Sequence, residues 1–95
     1  MATMIVKHRV ANFENWKVAF DDMIPTRARF GWTGHLVLRD ATDPNIVTIV
    51  NRMKTLDGAK AYGGSPELRA GMQRAGVVGA AEISFCEDAD EKRDY

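Results

Sequence analysis

The side chains best equipped for chemistry are His8, Asn51 and Tyr62, with Trp16 and Phe20 as candidate walls for a bound molecule. His8 shares one face of an alternating segment with Met4, Val6 and Val10. Imidazole exchanges a proton near neutral pH, so a histidine on that apolar face is a candidate general base. The alternative is a core histidine bonded to a backbone carbonyl. Asn51 closes an apolar strand, where its amide can hold either a ligand carbonyl or a strand edge. Tyr62 precedes Gly63-Gly64, which is either a flexible gate or a plain joint between two short helices. Trp16, Phe20, Met23 and Phe30 recur at helical spacing and supply either an aromatic pocket or ordinary core. His35 shares a face with Val37 and Arg39, and that face is expected toward a second subunit. Arg27 and Arg29 can pair either with a carboxylate ligand or with Asp21 and Asp22, and surface ion pairs with these two acids are the expectation.

Several chemistries are disfavoured. Two histidines on different strands, with no Cys, Asp or Glu at ligand spacing, make no metal motif. Ser65 precedes Pro66-Glu67 and serves better as a helix cap than as a nucleophile. Adjacent carboxylates such as Asp21-Asp22 do not face each other on a helix. The eight glycines form neither a phosphate loop nor a dinucleotide fingerprint. Thirteen basic and 13 acidic side chains cancel, which argues against nonspecific binding to nucleic acid or anionic membrane. One cysteine excludes an internal disulfide, and no apolar run approaches a membrane span. No leader segment is evident, so a cytoplasmic protein is expected. The neutral total conceals an uneven distribution. Residues 87–95 hold five acids and two bases, and are expected to be a solvated acidic tail on a domain spanning 1–86.

The elements that must position these residues are legible. Met4–Val10 alternates and reads as a strand. Asn12 caps a helical stripe running to Phe30, which Pro25 should kink near Asp22–Ile24. Trp32–Asp40 and Ile46–Arg52 form a hairpin across Asp43-Pro44-Asn45. Thr55 caps a short helix to Tyr62. Ser65 caps another, which Gly76 ends, and Val77–Cys86 is the last strand. The order is βαββαβ. Right-handed crossovers make the ferredoxin-like antiparallel sheet, order 4-1-3-2 with helices on one face, the simplest α+β solution. Both faces of that sheet carry apolar residues, such as Val47 and Ile49 against Ile46 and Val50. A chain of 95 residues has no second layer to spare. A homodimer packed through the open sheet face is therefore expected.

Val6-Lys7-His8-Arg9-Val10, Phe13-Glu14-Asn15-Trp16, Phe20-Asp21, the Arg27–Gly31 helix end, Asp43-Pro44-Asn45 and Ser65-Pro66-Glu67-Leu68-Arg69 carry a resemblance. Over residues 4 to 87 the chain resembles the dimeric α+β barrel superfamily, and within it the small antibiotic biosynthesis monooxygenases. The resemblance implies a pocket between sheet and helices that takes an aromatic or polyketide-like molecule and needs no cofactor. In that setting His8 would be the base, and Trp16, Phe20, Asn51 and Tyr62 would hold the ring. Trp16 stands on the first helix, unlike the haem-degrading members, so the resemblance points away from haem chemistry. A polyketide cyclase of the same superfamily and a noncatalytic dimeric binding module remain open alternatives.

Overall fold

A computed structural model describes residues 1–92. The chain runs β1 (Ala2–Val10), α1 (Phe13–Asp22), α2 (Ile24–Arg29), β2 (Trp32–Arg39), β3 (Ile46–Met53), α3 (Leu56–Gly63), α4 (Pro66–Ala75) and β4 (Val77–Glu87). Each expected cap forms. Asn12 Oδ1 accepts from the Asn15 amide at 2.9 Å, Thr55 Oγ1 from Gly58 at 3.0 Å and Ser65 Oγ from Leu68 at 3.1 Å. These bonds satisfy amides that the first helical turn leaves without partners. The kink expected at Pro25 is a complete break. Met23 leaves helical geometry, and a new helix starts with the proline in its first turn, where no amide is needed. Gly76 ends α4 at φ 80, a left-handed conformation that glycine adopts without penalty.

The four strands form one antiparallel sheet ordered β2-β3-β1-β4, the expected order read from the opposite edge. Antiparallel register decides which side chains share a face. Val6 lies opposite Ile49 and Ile83, and Met4 opposite Asn51 and Phe85. These positions face the helices. Buried Met4, Val6, Val10, Val47, Ile49 and Met53 meet Trp16, Phe20, Leu68 and Ala75 from the helical layer. Each fully buried large side chain contributes about 1.5–3 kcal/mol, so this layer holds the domain together. Gly79, at φ 77, lies where the β1–β4 register shifts. Val77 before it and Ala81 and Ile83 after it all pack on the core.

Among the described residues, no layer of secondary structure covers the opposite face. Leu36, Leu38 and Val78 there are 57%, 45% and 50% exposed. β4 runs one residue beyond the expected domain boundary, because Glu87 pairs with Ala2 at the start of β1. Asp88 then forms a two-pronged pair with Arg52, at 2.9 and 2.6 Å. Of the acidic segment expected to be a tail, residues 93–95 lie outside the described residues. No helix among the described residues is long and apolar enough to cross a membrane.

Candidate functional site

β1 and β3 point His8 and Asn51 at the helices, and α1 and α3 bring Trp16, Phe20 and Tyr62 down onto them. All five residues line one cavity between sheet and helices, together with Arg27 from α2. The enclosed space is small, about 30 Å³. That holds roughly one water molecule. Met23 and Met72 also line it, and their unbranched thioethers are the wall most able to shift. Gly71 on α4 makes room for Met23: a Cβ at that position would lie 2.1 Å from the Met23 sulfur.

The polar groups in this interior are incompletely paired. His8 is 6% exposed and its Nδ1 has no hydrogen-bond partner. Its ring meets Trp16 edge-on, with centroids 5.8 Å apart. Burial lowers its pKa below the ordinary value, since imidazolium is poorly solvated there. Asn51 Nδ2 donates to the Met4 carbonyl at 3.4 Å, while Asn51 Oδ1 is unpartnered. Trp16 stacks on Phe20 at 4.6 Å and 18°, forming a continuous aromatic wall. Tyr62 is buried against Phe30, and burial raises its pKa, with the Arg27 charge opposing.

Two residues depart from expectation. Arg27, expected in a surface ion pair, is 1% exposed. The ion pairs among the described residues join Arg9 to Asp43, Lys17 to Asp21 and Arg52 to Asp88, leaving Arg27 out. Lys17 holds Asp21 one helical turn away, while the break at Met23 turns α2 so that Arg27 enters the core. The available signal was that Arg27 occupies a position of the apolar stripe, seven residues after Phe20. His35, expected toward a second subunit, lies on the helix side. Its register partner is Asn51, and its ring meets Phe20 at 4.8 Å and Trp32 at 5.5 Å. Burial lowers its pKa, with the charges of Arg27 and Lys17 acting in the same direction. Leu36, opposite Val50, takes the open face instead. Among the described residues there is no group of three or more His, Cys, Asp or Glu placed to hold a metal ion.

No family model matches the sequence, and no curated protein matches it. The tertiary structure does find counterparts. SnoaB, a cofactor-independent oxygenase from Streptomyces nogalater, superposes with a TM-score of 0.76 at 14% identity, over 98% of this chain and 97% of its own. A candidate antibiotic biosynthesis monooxygenase from Bordetella bronchiseptica gives 0.74 at 14% identity, over 93% and 96%. The chain has the antibiotic biosynthesis monooxygenase fold. The same fold occurs in a conserved protein from Methanosarcina mazei Go1, with a TM-score of 0.70 at 15% identity over 94% of each chain. Similarity at this level establishes the antibiotic biosynthesis monooxygenase fold and leaves the reaction to be read from the residues.

Proposed function

We propose that the chain is a small homodimeric enzyme that oxygenates a phenolic or enolic aromatic molecule without a cofactor. The observation that carries this reading is His8: a buried, neutral-leaning imidazole with a free ring nitrogen, beside an aromatic wall. A base of lowered pKa is unprotonated at neutral pH and ready to accept a proton. Asn51 Oδ1, unpartnered, can take a hydrogen bond from the substrate hydroxyl. Trp16 and Phe20 stack on the ring, and Tyr62 positions it. His8 removes the acidic C–H proton beside the ring carbonyl, and the carbanion adds to dioxygen as a peroxide. The peroxide loses water to leave a new carbonyl, so one oxygen atom enters the product and the other leaves as water. Met23 and Met72 must move aside to admit a ring. The exposed Leu36, Leu38 and Val78 support dimerisation through the open sheet face.

The small cavity supports a second reading, a noncatalytic dimeric binding module. Oxygen uptake with an anthrone as substrate separates the two. The enzyme reading expects uptake to fall by about 100-fold or more in His8→Ala, the low end of what a general base contributes. A smaller loss rejects the base role, and no uptake with the native chain favours the binding module.

A further inference from the structure

We infer that the cavity takes a ligand bearing a carboxylate, and that Arg27 is the residue that binds it. The assignment rests on reading this cavity as a small-molecule site. Arg27 Nη1 donates to the Phe20 carbonyl at 2.8 Å and the Tyr62 hydroxyl lies close enough to interact with the guanidinium, but among the described residues neither Nε nor Nη2 has a partner at hydrogen-bond geometry. Nε and Nη2 form the side-on edge of a guanidinium, whose two parallel N–H bonds match the two oxygens of a carboxylate.

The surroundings favour an anion there. Arg27 lines the cavity and lacks an ion-pair partner among the described residues. The indole of Trp32 lies 5.2 Å from the guanidinium, and its Nε1, which can only donate, is also unpartnered. Two unpartnered donor atoms of Arg27 therefore belong to the cavity lining, with Trp32 beside the guanidinium, while Asn51 offers a free acceptor among the lining residues. A buried cation without a counter-charge is costly to keep, and an incoming carboxylate removes that cost. The fork also selects among anions: a planar carboxylate fills both N–H bonds, whereas a phenolate oxygen fills them less well.

The test is an NMR titration of the full chain with salicylate and with its neutral counterpart salicylamide, following the indole signals of Trp16 and Trp32. Salicylate is expected to bind more tightly by about tenfold or more, the effect of a hydrogen bond to a charged group. Arg27→Met is expected to abolish that preference, and Arg27→Lys to restore it in part. Equal binding of the two probes, tighter binding of the amide, or no binding of either at millimolar concentration overturns the inference. If Arg27→Met does not fold, the comparison of probes on the native chain decides alone. Oxygen uptake from neutral phenols without carboxylate preference would reject Arg27 as an anchor and keep the oxygenase. Carboxylate preference without uptake from any phenol would do the reverse.

Discussion

Arg27 grips Phe20 twice: its guanidinium carbon lies 3.9 Å from the centre of the Phe20 ring, and its Nη1 donates to the Phe20 carbonyl. A cation stacked on an aromatic face gains on the order of 2 kcal/mol when desolvated. Burying a charge without a partner costs several kcal/mol. The contact with Phe20 therefore orients the side chain without balancing its burial. The Phe20 carbonyl also accepts from the Met23 amide at 3.2 Å, so it keeps a partner if Arg27 is lost. Arg27→Met is expected to be neutral or stabilising, by up to about 4 kcal/mol. Urea unfolding measures it, and a loss above about 2 kcal/mol would make Arg27 a structural residue.

His8 and His35 make stability depend on pH. Both have pKa values lowered by burial, so the unfolded chain binds protons at a higher pH than the folded one. Well above about pH 6.5, the ordinary histidine value, both states are neutral and stability is at its full value. As pH falls below that, the unfolded state is protonated first and stability drops, levelling off once the folded histidines titrate. Urea midpoints between pH 8 and 5 should show this fall. His8→Asn should flatten part of it.

The same direction governs turnover. A general base works in its neutral form, so activity is expected to be flat above neutrality and to fall on the acid side. The midpoint should lie below the ordinary histidine value of about 6.5. Oxygen uptake against pH checks this, and an acid limb above pH 7 would exclude His8 as the base.

Two helical glycines differ in what surrounds them. A Cβ on Gly71 would meet the flexible end of Met23, while one on Gly58 would lie 2.4 Å from the Phe30 backbone carbonyl. Alanine gains about 1 kcal/mol over glycine in a helix, and overpacking costs about 1–3 kcal/mol. Gly71→Ala should fall within about 1 kcal/mol of the native chain, because a thioether can rotate away. Gly58→Ala should lose about 2 kcal/mol or more, because a carbonyl fixed in the chain cannot. Equal losses in urea unfolding would contradict this account.

The open sheet face should be a subunit contact. Leu36→Glu and Leu38→Glu change exposed positions, so each chain should keep its fold. Sedimentation at micromolar concentration should show a dimer for the native chain and a 10.6 kDa species for the double variant. A native chain sedimenting at 10.6 kDa would reject the dimer.

Local chemistry is why so much was legible. Asn12, Thr55 and Ser65 cap helices, Pro25 breaks one, and the alternation of Val47 and Ile49 with Ile46 and Val50 marks a strand with two apolar faces. Each signal acts within a few residues, so the chain order alone determined the elements, their sequence and the simplest sheet that joins them. It also placed His8 among the inward positions of β1, through alternation with Met4, Val6 and Val10. What alternation leaves open is which face of a strand turns inward. His35 alternates with Leu36 and shares its face with Val37 and Arg39, and that pattern is compatible with either side of the sheet. Pairing with Asn51 on β3 put His35 inward, since opposed residues in an antiparallel ladder share a face. Arg27 shows the same limit. Composition favours the surface for an arginine, and only the break at Met23, with the packing of α2 on β2, carried this one into the core. The resemblance already implied one pocket for the His8 imidazole, the Asn51 amide and the Tyr62 phenol; the tertiary structure alone decided that the Arg27 cation joins them, because the contacts link residues from β1, β3, α2 and α3 that no local pattern relates.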